Sequence, residues 1–159
     1  MPRVRFIAPK PISVRAVRRA VVHGMQATAK VVRNSHELFT RTWDPSSRPE
    51  WKEFGPQQQG GAMVWRRETV STPFIYVELG TRPHLIAAKN APRLAFQVGF
   101  VPKTLPGRLV SGMGGTFGSW VFPTQVNHPG TAPRYINRAI VEIVRPVLSR
   151  NINRELAKL

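Results

Sequence analysis

Cysteine is absent from this 159-residue chain. Its absence excludes disulfides, thiolate-ligated zinc, iron–sulfur clusters and cysteine nucleophiles together. Acidic residues are scarce: eight Asp and Glu stand against 24 Lys and Arg, a formal charge of +16. They are scattered, and no close carboxylate pair is offered for acid–base chemistry. No apolar run reaches the ~18 residues of a membrane span. Pro9 and Pro11 interrupt the basic N-terminus, and no apolar segment of the signal-peptide kind follows. The expectation is a soluble protein that acts inside a cell or is built into an assembly there, with no membrane contact.

What remains is ordinary in size and unusual in charge. The length and the 42% hydrophobic content predict a single globular domain over residues 1–159 with a modest core. A basic excess of this size predicts attraction to a polyanion or an acidic partner and says nothing about fold. Arginine outnumbers lysine, which suits bidentate contact to phosphate or carboxylate.

Residues 1–11 carry Arg3, Arg5 and Lys10 among prolines and read as a basic extended arm. Ser13 fits an N-cap. Val14, Val17, Val21, Met25, Thr28 and Val32 then recur at three- and four-residue steps, predicting helix 1 from Ser13 to Phe39 with one apolar stripe. Gly24 weakens that helix by roughly 1 kcal/mol relative to alanine, so a close contact or a bend is expected there. Residues 40–61 lose periodicity and read as a long loop, with Trp43, Trp51 and Phe54 as anchors. Strands are expected over Ala62–Val70, Phe74–Leu79, Leu94–Phe100 and Thr116–Phe122, with Ser71-Thr-Pro73 turning the first into the second. Residues 102–115 read as a protruding loop. Pro133 suits the first turn of a final helix. Ile136, Ala139, Ile140, Ile143 and Val147 give that helix its stripe, which Pro146 should kink or break. The predicted architecture is α+β: an N-terminal helix, an antiparallel sheet of about four strands and a C-terminal helix kinked near Pro146.

Two short stretches carry matching punctuation. Glu78, Leu79, Gly80, Thr81, Arg82, Pro83 and His84 form one; His128, Pro129, Gly130, Thr131, Ala132 and Pro133 form the other. Both contain Gly-Thr-x-Pro, a chain-turning device expected to fix how sheet and helix meet. His84 and His128 lie in these turns and are expected to hydrogen-bond them. His23 and His36 fall in helix 1, thirteen apart, without the i, i+4 spacing of a helical metal pair. Gly112 to Gly118 superficially resembles a phosphate loop but lacks the Gly-Lys-Ser/Thr ending and precedes a strand. Ser119 is not in a nucleophile elbow. No catalytic residue, cofactor site or metal site is assigned.

The bases cluster. Residues 1–41 hold nine against Glu37 alone, a net +8, and the stretch from Arg134 onward adds a net +4. Such like charge repels itself in an isolated fold, and a phosphate backbone is a natural counterpart. No base-reading module is evident, so nucleic-acid contact would be sequence-blind.

Taken in order, Tyr76-Val-Glu-Leu-Gly-Thr-Arg-Pro-His84, Leu94-Ala-Phe96 and Val126-Asn-His-Pro-Gly-Thr-Ala-Pro133 before a helix resemble the small neck and tail-completion proteins of long-tailed bacteriophages. The resemblance covers about Phe74 to Ile140. It departs where Ala87-Ala88 stands in place of a proline, and residues 102–115 do not align; Tyr135 fills the place of the aromatic that follows the second motif. The resemblance implies a non-enzymatic structural virion protein, assembled in the host cytoplasm, that forms a hexameric or dodecameric ring joining the DNA-filled head to the tail. Its implied layers are connector, stopper or tail terminator. Its implied partners are further copies of itself, other neck, portal-side and tail-tube proteins, and DNA in the channel, touched non-specifically. Arg3, Arg5, Arg15, Arg18 and Arg19 are then the candidates to face a polyanion. A sequence-independent basic nucleic-acid-binding protein is the alternative. A phage nuclease or hydrolase would need an acid–base or metal constellation that these residues do not supply.

Overall fold

Ser13 is extended, and its hydroxyl accepts the N–H of Ala16 at 3.1 Å, which starts helix α1 (Val14–Thr40) as its sequence leads one to expect. The computed structural model describes residues 11–102 and 114–159. The arm with Arg3 and Arg5, and nearly all of the 102–115 loop, lie outside the described residues.

The buried face of α1 is Ala20, Gly24, Thr28, Ala29, His36, Phe39 and Thr40. This differs from the valine stripe. Val14 is 85% exposed, because the helix partner begins to cover α1 only farther along. That partner is α3 (Ile136–Leu156). The two cross where a Cβ on Gly24 would lie 2.8 Å from the backbone of Ile152, so the absent side chain is what lets the backbones approach. Beside the crossing, Asn151 Nδ2 donates to Thr28 Oγ1 at 3.0 Å, and Thr28 Oγ1 donates to the Gly24 carbonyl at 2.8 Å. These bonds satisfy two polar groups that burial would otherwise penalise.

The stretch expected to be a loop instead contains a short 3₁₀ turn (Pro45–Ser47) and strand β1 (Lys52–Gln59). Strand β1 pairs antiparallel with β2 (Ala62–Glu68). An irregularity between Phe54 and Gln57 absorbs Gly55-Pro56, the kind of place where a strand tolerates proline. Trp43 and Trp51 do pack against the core, whereas Phe54 is exposed under the guanidinium of Arg66.

Phe74–Leu79 is not a strand. Ser71, read as part of a turn, caps helix α2 (Thr72–Leu79), with Pro73 in its first turn. The β-branched and aromatic propensity is overridden because helical spacing puts Phe74 and Val77 together on the core. Phe74, Phe39, Ile136 and Ile140 form the buried cluster, flanked by Val32, Trp43, Trp51, Val77 and Val144.

From α2 the chain runs out and back as paired short strands. Strand β3 (His84–Ala87) pairs with β8 (Gln125–His128), β4 (Phe96–Gln97) with β7 (Trp120–Val121), and β5 (Phe100–Val101) with β6 (Gly115–Thr116), all antiparallel. Bonds from Ala88 N to Thr124 O, Leu94 N to Pro123 O and Val98 N to Ser119 O link the successive pairs, so they make one irregular two-stranded ribbon. The expected strands over 94–100 and 116–122 are each split in two, with Gly99 (φ +70°) packed against Gly118 at the break. In place of one four-stranded sheet there are, among the described residues, four two-stranded ones; the class is α+β.

Helix α3 starts at Ile136, three residues later than Pro133 suggested, and it continues through Pro146 without interruption. Pro146 is exposed, so the carbonyl that loses its helical donor has water within reach. No helix among the described residues is long and apolar enough to cross a membrane.

Candidate functional site

The two Gly-Thr-x-Pro turns meet each other. Thr81 N donates to Thr131 O at 3.0 Å and Thr131 N returns a bond to Thr81 O at 3.1 Å, an isolated antiparallel bridge. The two hydroxyls lie 3.1 Å apart, and Thr81 Oγ1 also accepts from Thr131 N at 3.0 Å. The glycines are reciprocal. Gly80 has φ +75° and Gly130 has φ +81°. A Cβ on Gly80 would strike the Thr131 carbonyl and Pro133 N; one on Gly130 would strike the Thr81 carbonyl and Pro83 N. Each proline nitrogen bears no hydrogen, so each glycine can close on it without orphaning a donor.

This joint also ties α2 to α3. Arg134 N and Tyr135 N donate to the Val77 and Glu78 carbonyls at the end of α2. Tyr135 enters α3 in the left-handed region (φ 51°, ψ 44°) and its side chain makes no cap. Glu78 supplies it from α2: its carboxylate accepts Ile136 N at 2.6 Å and Asn137 N at 3.2 Å. An anion at a helix N-terminus is favourable both as a hydrogen-bond acceptor and against the helix dipole. Pro133 therefore lies outside the helix, because the Thr131 bridge holds its neighbourhood extended.

His84 and His128 face each other across the first rung of the ribbon, ring centroids 5.0 Å apart. His84 Nδ1 meets the Arg82 carbonyl at 2.8 Å, and His128 Nδ1 accepts from Gly130 N at 3.0 Å. The partners set opposite tautomers: hydrogen on Nδ1 of His84 and on Nε2 of His128. A metal held through both Nε2 atoms would push the His128 hydrogen onto Nδ1, against the Gly130 N–H. The pair is arranged to hold two turns. It lines an open concavity of about 650 Å³ with Tyr76, Thr81 and Arg82. Pro129 is exposed between His128 and Gly130. Among the described residues no group of three or more potential metal ligands gathers.

Arg15, Arg18 and Arg19 are exposed on the first turns of α1. Arg15 and Arg18 rim a groove of about 470 Å³ floored by Val17, Val21 and Met63. Other arginines are committed to the fold. Glu53 takes the fork of Arg33 at 2.6–3.0 Å and Arg67 Nη1 at 3.0 Å, and Arg67 stacks over Trp51 at 4.8 Å. The Arg33 hydrogen bonds hold the Glu53 carboxyl below the usual carboxylate range, and burial pulls the Arg67 guanidinium down from its ordinary value.

His36 was placed in helix 1 without a role. It is buried, stacks at 4.1 Å on Trp51, and its Nε2 meets Asn137 Oδ1 at 3.1 Å. Burial pushes this imidazole below the usual histidine range, and the charge of Arg67 pushes the same way. Sequence reasoning also missed Glu78 as a remote cap; the repetition of Gly-Thr-x-Pro was the available sign that the two turns belong together.

Comparison with protein families, with curated proteins and with solved structures finds no match for this chain.

Proposed function

We propose that this chain is a non-enzymatic structural subunit of the neck of a long-tailed bacteriophage, residing in the virion. It forms a hexameric or dodecameric ring that joins the DNA-filled head to the tail. Its partners are its own copies, neighbouring neck, portal-side and tail-tube proteins, and DNA touched without sequence preference. The observation that carries this reading is the joint itself. The two motifs on which the resemblance rests meet at Thr81 and Thr131, lock α2 to α3 and root a long ribbon of exposed apolar residues, an arrangement suited to a part built into a larger assembly. The test is deletion of the gene from its parent genome, induction, and negative-stain electron microscopy of the lysate. Filled heads beside separate tails support a joining role, and aberrant tail lengths support the terminator layer. Normal infectious virions overturn it.

A sequence-independent nucleic-acid-binding protein is the second reading, favoured by the charge of +16 and by the exposure of Arg15, Arg18 and Arg19. Nucleic-acid affinity that falls steeply with salt, in a protein that never forms rings, would select it.

A further inference from the structure

The ribbon between Thr81 and Thr131 keeps several large apolar side chains in solvent. Phe117 is 74% exposed, Phe100 68%, Trp120 59% and Leu85 56%. Among the described residues each of its sheets has two strands, so neither long edge of those strands has a pairing strand beside it, and each offers a template for another chain. A two-stranded ribbon by itself is marginal in water.

The surface is large for a chain of this mass. The chain exposes 12214 Å², whereas a folded monomer of 17.9 kDa exposes about 8,000 Å². Suppose the 21 residues outside the described range are granted the full surface of an unfolded chain, roughly 3,400 Å². About 1,600 Å² still remains in excess of what a folded chain of the remaining mass shows. A standard interface takes about 800 Å² from each partner. A subunit in a ring makes two such contacts, one on either side.

We propose that the ribbon is the subunit–subunit interface, docking by its open edge and apolar side chains onto a second copy of this chain, head to tail. The choice of a second copy rests on the ring reading above. Two chains of charge +16 repel each other, and the ribbon brings to their contact a surface on which charge is sparse. Among its described residues from His84 to Thr131 the only charged side chains are Lys89 and Arg93. Self-association of this kind strengthens as salt screens the remaining repulsion, opposite to the behaviour of a phosphate-binding surface.

The test is sedimentation velocity on the purified full chain over a concentration series at low and high salt. It compares the natural sequence with Phe100→Asp/Trp120→Asp, with far-UV circular dichroism to report the helices. The expected result is an oligomer that tightens with salt, and a variant of unchanged helicity whose self-association is weaker by about 30-fold or more, the scale of a lost aromatic hot spot. Should the double variant fail to fold, Trp120→Cys in this cysteine-free chain can be labelled with a bulky maleimide after folding, and the same dissociation is expected. A natural chain that stays monomeric at every concentration and salt, or substituted chains that assemble like it, would overturn the proposal. A ribbon-dependent oligomer whose gene deletion leaves normal virions keeps this interface and removes the neck role. A required neck protein that assembles regardless of the ribbon does the reverse.

Discussion

Replacing Glu78 tests whether the joint works as described. Helix α3 begins at a left-handed Tyr135 with no cap of its own, and two of its first N–H groups end on the Glu78 carboxylate. Loss of a side-chain cap costs about 0.5–2 kcal/mol. A hydrogen bond to a charged group contributes about 1.5–3 kcal/mol, and an anion against the helix dipole up to about 2 kcal/mol in a partly buried setting. These overlap, since all describe the same oxygens. For Glu78→Ala the expected loss is therefore about 2–3 kcal/mol, or roughly 5–10 °C in Tm for a chain of this size. Glu78→Gln keeps one acceptor and loses the charge, and should fall about halfway. Urea unfolding followed by circular dichroism reads both, at one fixed protein concentration because association would add to stability. If Glu78→Ala unfolds within 0.5 kcal/mol of the natural chain, roughly the spread of neutral surface changes, the remote cap is not holding α3. If Glu78→Gln matches Glu78→Ala, the charge is what matters.

Four further outcomes follow from the same structure. Gly130→Ala would need a left-handed φ of 81° and would strike the Thr81 carbonyl. It should cost more than the ~1 kcal/mol of the backbone conformation alone, read as a lower urea midpoint, and Gly80→Ala should behave alike. Gly24→Ala gains about 1 kcal/mol of helix propensity but drives a methyl into Ile152, where overpacking costs about 1–3 kcal/mol; calorimetry should show net loss. Because burial lowers the pKa of His36, the unfolded chain takes up that proton first. The stabilising contribution is complete above about 6.5 and falls as pH drops from there through the folded value. The lowered carboxyls of Asp44, Glu53 and Glu155 act mainly at lower pH, so the fall in stability between pH 7 and 5 should be shallower in His36→Gln. Finally, on the proposed neck role, Arg15→Glu, Arg18→Glu and Arg19→Glu together should lower the yield of DNA-filled, tailed particles, and an unchanged yield would count against a polyanion-facing role for these arginines.

Local chemistry made part of this legible in the sequence. Ser13 and the spacing behind it marked α1, alternation marked β2, and Gly24 pointed to the close approach that Ile152 makes. The errors came where tertiary packing overrode local preference. Phe74-Ile-Tyr-Val has the composition of a strand, but Ser71 and Pro73 start a helix and the core rewards the spacing of Phe74 and Val77. Gly55-Pro56 hid β1 by occupying its irregularity. The Glu78 cap and the Thr81–Thr131 bridge join residues more than forty positions apart, and no local propensity encodes such a pairing.

The ribbon also divides the chain's backbone amides into two populations. Those of α1 and α3 sit over the Gly24–Ile152 crossing and the Phe39 cluster, and they should exchange with solvent hydrogen only when that packing opens. Those of the ribbon are sealed by little side-chain burial, so in a free chain they should exchange through cheap local openings. A deuterium-exchange map of the free chain would show a protected helical half and a labile arm. Protection that spreads down the arm as concentration rises would chart assembly residue by residue.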